Sequence, residues 1–346
     1  MNKEKVGYLI INLGTPASPY PEDVRNYLAQ FLMDPEVIDI AYPLRWILVK
    51  LLILKNRPLQ SSAQYQLIWT DQGSPLYFHT RALTDKVKQR LEGVAEVEMA
   101  MRYGEPSIAK GCEALLSKNC TRIVVCPLYP QYSLAATESS LIAVRQVMKG
   151  LRKSIPVESV SAFYKEDSYL SAVAKISQRY LRDEPFDMAI FSFHGLPERQ
   201  VKKTDSTKQY CLQTEDCSLS VNAINSNCYR AHCFYTAKKL AEKLNIPESQ
   251  YRVAFQSRLG RTPWIKPYSD ELYRELPKLG VKKIVVLCPS FVADCLETLE
   301  EVSVRGQEEF IKHGGEKLTL IPSLNAEPEW VDALLELLDK APREKL

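Results

Sequence analysis

The chain has 346 residues, 45% of them hydrophobic and 25% charged, the proportions of an ordinary globular protein with room for about two domains. It can bury a core without staples, which excludes the disordered and disulfide-scaffold classes. Lys and Arg number 45 against 42 Asp and Glu, a net charge of +3, and no basic run appears, so no nucleic-acid partner is expected.

Met1 to Lys5 leads straight into Val6 to Ile10 with no small-residue cleavage site, so a cytoplasmic location is expected. Val- and Ile-rich runs predict strands at Val6 to Gly14, Glu96 to Gly104, Arg122 to Pro130 and Val157 to Phe163. Four more are predicted at Asp187 to Gly195, Tyr251 to Ser257, Lys282 to Ser290 and Lys317 to Asn325. Helical spacing lies between them at Pro21 to Leu32, Thr80 to Glu92, Ser107 to Asn119, Thr137 to Leu151 and Asp167 to Leu181. It returns at Cys228 to Leu244, Asp294 to His313 and Glu327 to Ala341. Strands alternating with helices predict an α/β fold, and eight strands suit two similar doubly wound domains, each a four-stranded parallel sheet flanked by helices. The expected division is residues 1–160 and residues 161–325, with a final helix at 326–346 that packs back on the first domain. Arg122 to Tyr129 and Lys283 to Ser290 share an apolar strand and a Cys-Pro step, which suggests an old duplication.

Ile40 to Lys55 is the longest apolar stretch. A bilayer span needs about 20 apolar residues, and Arg45, Lys50 and Lys55 interrupt this one. It fits either a helix lying in a membrane interface or a buried core helix.

In doubly wound sheets ligands bind beyond the carboxyl ends of the strands. Neither Gly-x-Gly-x-x-Gly nor a P-loop occurs, so nucleotide chemistry is not expected. One of the four histidines, His194, ends a predicted strand and precedes Gly195, a place suited to proton transfer or metal ligation. Pro289 to Glu301 begins at another strand end. On one regular helix its Asp294, Glu297 and Glu301 would share a face, either a solvated acidic face or carboxylates gathered near His194. Phe255 to Trp264 starts at a third strand end and carries a Trp in a Gly-Pro loop, suited to a flat ligand.

Together, Asn12 to Pro16, Pro130 to Ser133, Ser192 to Pro197, Phe255 to Ser257 with Gly260 to Trp264, and Phe291 to Glu301 resemble the signatures of the ferrochelatase family, in that family's order. The resemblance implies two similar doubly wound domains with a porphyrin in the cleft between them, and insertion of Fe2+ into protoporphyrin IX with loss of two protons. It implies His194 as proton acceptor or metal ligand with Glu297, Asp294 as their support, and Leu13, Tyr132, Ser133, Trp264 and Phe291 against the porphyrin. It also places Ile40 to Lys55 at the family's apolar lip, so peripheral contact with the inner face of the cytoplasmic membrane is expected. The position one turn beyond Glu301, often acidic in the family, is Arg305 here. Coproporphyrin III as substrate, or a non-catalytic porphyrin or iron sensor, are the alternatives.

Nine cysteines are present, and Cys211, Cys217, Cys228 and Cys233 fall within 23 residues. They lie in an insertion relative to shorter family members. Four thiolates can supply a complete shell for a 2Fe–2S cluster or for Zn2+. No Cys-x2-Cys knuckle occurs, which favours iron–sulfur. Cys126 and Cys288, in apolar runs, read as core thiols.

Overall fold

The computed structural model describes residues 4–152, 155–182, 185–258, 260 and 262–346. The chain divides into two compact units. The first contains Met1–Tyr129, Leu134–Ser161 and Ala326–Leu346, the second Pro130–Ser133 and Ala162–Asn325.

The first unit is built on β1 (Val6–Gly14), β2 (Glu96–Tyr103), β3 (Arg122–Pro127), β4 (Val157–Val160) and, from the far end of the chain, β9 (Arg343–Lys345). Their order is β2-β1-β3-β4-β9, parallel except for β9, which runs antiparallel to β4. The second is built on β5 (Met188–His194), β6 (Tyr251–Gln256), β7 (Lys283–Leu287) and β8 (Lys317–Leu320), all parallel in the order β6-β5-β7-β8. The first four strands of each unit therefore follow one plan, and the similar Arg122 and Lys283 runs are its corresponding third strands.

The sheets form where the sequence is continuously apolar because helices cover both faces. Leu9, Ile11, Ile123 and Val125 pack with Ile108, Leu115, Leu141 and Val144 in the first core. Ile190, Ala254, Ile284 and Val286 pack with Tyr273, Leu276 and Phe310 in the second. Helices Pro21–Leu32, Pro75–Arg90 and Pro328–Lys340 open on proline, whose missing N–H costs nothing there. The helix Pro328–Lys340 lies beside Pro75–Arg90, where Arg90 pairs with Asp332 at 2.9 Å.

Several predicted strands run on past the true ladder. The apolar run continues into Cys-Pro steps, and a proline cannot donate to a sheet, so β3 stops at Pro127 and β7 before Cys288-Pro289. The first sheet has five strands rather than four, because the short, charged β9 has no strand-like pattern. The single helix expected over Asp294 to His313 is three segments: an α-turn Leu296–Thr298, a π-helix Leu299–Gly306 and an α-helix Gln307–Lys312.

Ile40 to Lys55 lies mostly within a helical run, Tyr42–Trp46, a π-segment Ile47–Ile53, and Leu54–Ile68. Val49 and Leu54 face inward, while Tyr42, Leu44, Trp46, Ile47, Leu51 and Leu52 are exposed, Leu52 at 64%. Arg45 does not break the run as a solvated charge. It is buried, and its Nη1 donates to the carbonyls of Ile38 and Ile40 at 3.1 and 3.0 Å. No helix among the described residues is long and apolar enough to cross a membrane.

Candidate active site

In the second unit the strand order changes direction between β5 and β7, the crevice where doubly wound sheets receive ligands. His194 is the last residue of β5, paired with Gln256 at the end of β6. Its backbone N–H donates to the Ser290 hydroxyl just beyond β7 at 3.1 Å, and its carbonyl accepts from the Tyr229 hydroxyl at 2.8 Å. The ring Nδ1 lies 2.6 Å from the Gly195 carbonyl oxygen. A carbonyl only accepts, so Nδ1 carries the hydrogen and Nε2 keeps a lone pair. Trp264 and Phe291 stand 6.5 and 6.2 Å from the imidazole centroid. Leu259 and Arg261 of the Trp264 motif lie outside the described residues.

Asp294 stands ahead of the first helical turn, so it does not share a helix face with Glu297 and Glu301. Its two oxygens accept from Asn325 Nδ2 at 2.7 Å, Thr298 Oγ1 at 3.0 Å and the Ser323 N–H at 3.2 Å. Asn325 Oδ1 in turn accepts the Asp294 N–H at 2.8 Å. The carboxylate is spent fixing the start of the helix. Glu297, half-buried in the first turn, has its own carbonyl held by Gln256 Nε2 at 2.8 Å.

Glu301 enters the site more deeply than the spacing indicated. Its carboxylate accepts the Ser257 N–H at 2.7 Å and the Ser257 hydroxyl at 2.5 Å. Burial raises its pKa above the ordinary carboxylate value against the Ser257 bonds and the Arg305 charge; Glu297 raises it further, and His194 pulls it back. The π-turn brings the three groups within electrostatic reach of one another. Arg305 is no mere gap in an acidic row: its Nε meets the buried Glu300 at 2.7 Å. Behind Glu301 a cavity of about 390 Å3 is lined by Gln256, Ser269, Tyr273, Arg274 and Arg305 among others. Tyr229 and Gln256 were missed as site residues. Gln256 sat inside a quoted motif, whereas nothing local marked Tyr229.

Tyr132 and Ser133 lie in the short segment of the second unit that follows β3, and the Tyr132 N–H donates to His232 Nδ1 at 3.2 Å. Leu13 is the penultimate residue of β1 in the first unit, its N–H held by the Asn12 side chain at 2.8 Å. The next residue must be glycine. At Gly14, with φ +107°, an added Cβ would stand 1.8 Å from the Tyr103 carbonyl oxygen, closer than any side chain can sit. The same unit holds a buried polar knot in which Arg102, Tyr103 and Ser139 all donate to Asp34.

Cys211, Cys217, Cys228 and Cys233 are all buried, between 0% and 5% exposed. Asp205 organises the loop that carries the first, accepting the N–H groups of Cys211 and Tyr210 at 2.8 Å each and the Thr207 hydroxyl at 2.7 Å, and these bonds, the Cys211 one foremost, hold its carboxyl far below the usual range. The Leu212 N–H points at Cys217 Sγ at 3.2 Å. Burial pushes the Cys211 thiol up to about 12, with the neighbouring Cys228 adding to the shift. Among the described residues, no three His, Cys, Asp or Glu side chains stand together as a metal-holding set.

The layered architecture is that of the chelatases. SirB from Bacillus subtilis with Fe3+ superposes with a TM-score of 0.55 at 14% identity, over 96% of this chain and 94% of SirB. The sirohydrochlorin chelatase SirB of Bacillus subtilis subspecies spizizenii, in complex with cobalt, does so with 0.51 at 11% identity, over 96% and 93%. At such identities these show a shared fold. The family is fixed by sequence: residues 5–341 match the ferrochelatase family profile. Ferrochelatases of Coxiella burnetii (strain Dugway 5J108-111) and Pseudomonas fluorescens (strain Pf0-1) are 45% and 44% identical, covering 98% and 96% of this chain and 95% and 97% of theirs. That of Bdellovibrio bacteriovorus is 42% identical, covering 96% of this chain and 98% of its own. The chain belongs to the ferrochelatase family.

Proposed function

We propose that the protein inserts Fe2+ into protoporphyrin IX, giving protohaem and two protons, in haem biosynthesis. Family membership supports the reaction class. One observation carries the assignment of the base: the Nδ1–Gly195 bond, which commits His194 to the tautomer with its lone pair on Nε2. Nε2 accepts a pyrrole proton as iron enters. Glu297 and the half-buried Glu301 provide the onward acceptors, and the raised pKa of Glu301 favours its taking up a proton. His194 and Glu297 are also the groups that meet the incoming metal. Trp264 and Phe291, with Tyr132 and Ser133, supply porphyrin contacts, and a pocket that fits a puckered ring better than a flat one lowers the barrier to metallation. Asp294 supports the carboxylates through the helix start rather than by touching substrate.

The exposed apolar lip with Lys50 and Lys55 supports peripheral attachment to the cytoplasmic face of the membrane, and an apolar lip favours the less charged protoporphyrin over coproporphyrin III. The thiol insert is read as the seat of a 2Fe–2S cluster. Its four buried sulfurs and the amide turned onto Cys217 support that reading. As placed, the sulfurs do not fit a cluster, so its uptake requires them to turn, and no step above depends on it.

The test is anaerobic conversion of protoporphyrin IX with Fe2+, followed by absorbance, beside His194→Ala; iron and acid-labile sulfide are assayed on the same preparation. Wild type should turn over. The variant should lose at least about a hundredfold in rate while binding porphyrin within about tenfold. Near-normal turnover by His194→Ala would sink the proton path. Turnover of coproporphyrin III alone would move the substrate, and porphyrin binding without metallation would point to a sensor. Absence of sulfide would remove the cluster.

A further inference from the structure

Tyr229 opens the helix Tyr229–Leu244 directly after Cys228 and is buried. Its single hydroxyl proton goes to the His194 carbonyl at 2.8 Å, since a carbonyl can only accept. The peptide between His194 and Gly195 is thus pinned at both ends, its oxygen by Tyr229 and its N–H by the Gln256 carbonyl at 2.8 Å. That peptide leads into the Gly195 carbonyl, the acceptor that orients the imidazole through Nδ1. Gly195 has no side chain to restrain it, so external bonds must do so.

We propose that Tyr229 is a positioning residue for the proton acceptor, fixing the His194–Gly195 peptide and thereby the direction of Nε2. The proposal rests on the reading of His194 as the base. It requires no bond to form or break.

The test is steady-state metallation by Tyr229→Phe and Ser290→Ala, with His194→Ala as control. Tyr229→Phe removes only the hydroxyl. Its kcat should fall between about 10- and 100-fold with the protoporphyrin KM within about threefold, the signature of a misaimed group rather than a damaged pocket. Ser290→Ala, which loses the bond to the His194 N–H on the other side of the same residue, should fall in the same sense. Full kcat in Tyr229→Phe, with His194→Ala inactive, would overturn the positioning role alone, and an active His194→Ala would overturn the base as well. A KM that rises with the fall in kcat in both Tyr229→Phe and Ser290→Ala would mark a general structural loss and overturn the proposal.

Discussion

An added Cβ at Gly195 would stand 2.7 Å from the Gln256 carbonyl oxygen and 3.1 Å from the Trp264 ring. The backbone atom cannot yield without breaking the pairing of β5 with β6 at its functional end. Gly195→Ala is therefore expected to cost about 1–3 kcal/mol of stability and to depress metallation beyond that loss, checked by urea unfolding beside turnover at saturating porphyrin. Wild-type rate with unchanged stability would show that the strand end can shift freely. His194 and Gly195 were legible in the sequence because both signals are local: a lone imidazole closing an apolar run, and a glycine beside it. The task of Asp294 was not. Its partner Asn325 lies 31 residues further on, and no local pattern announces a carboxylate consumed by a distant amide.

At the scale of elements, regular helical periodicity misleads where the helix is not α. Asp294, Glu297 and Glu301 were placed on one face by counting 3.6 residues per turn. The π-winding from Leu299 to Gly306 widens the turn and brings Glu301 to Ser257, as π-segments at functional sites often do. The sequence shows the acidic row but not the winding, which depends on packing against β6 and Tyr273. The lip was ambiguous for a related reason. Its apolar residues cover more than one face, so the run alone could not distinguish burial from exposure, whereas the structure leaves Leu51 and Leu52 uncovered. Replacing both by Glu should weaken binding to vesicles of anionic phospholipid by at least about tenfold, since each Leu contributes about 1.5–3 kcal/mol when buried in an apolar phase. Sedimentation with vesicles measures it, and unchanged binding would remove the lip from membrane contact.

For the whole molecule, the repeated order of the first four strands explains why two matching runs could be found by eye and why the α/β class was readable. Alternation of strand and helix is a property of the entire chain, and errors at single boundaries do not erase it. The fifth strand of the first sheet escaped because three charged residues carry no periodicity. Resistance to acid belongs to this scale too. His232, buried and stacked on Tyr164 at 3.7 Å, has its pKa driven down to about 4 from 6.5 by burial. The unfolded chain therefore binds a proton here that the folded chain refuses. The stability involved is fully present above pH 6.5 and is lost as pH falls towards 4, about 3 kcal/mol over that window. Urea unfolding at pH 7.5 and 4.5 should show the decline, and His232→Gln should flatten it. An equal slope in the variant would assign the acid sensitivity elsewhere.

The path of the chain has a mechanical consequence. Val6–Gly14 and Arg343–Lys345 both belong to the sheet of the first unit, while the second is formed by Ala162–Asn325 with the short segment Pro130–Ser133. A force applied at the two ends is borne first by the first unit, and the other feels tension only after that sheet has been pulled apart. Stretching a single molecule should thus give two ruptures in fixed succession, the first sheet always yielding before the unit that holds His194, whatever their relative thermodynamic stabilities.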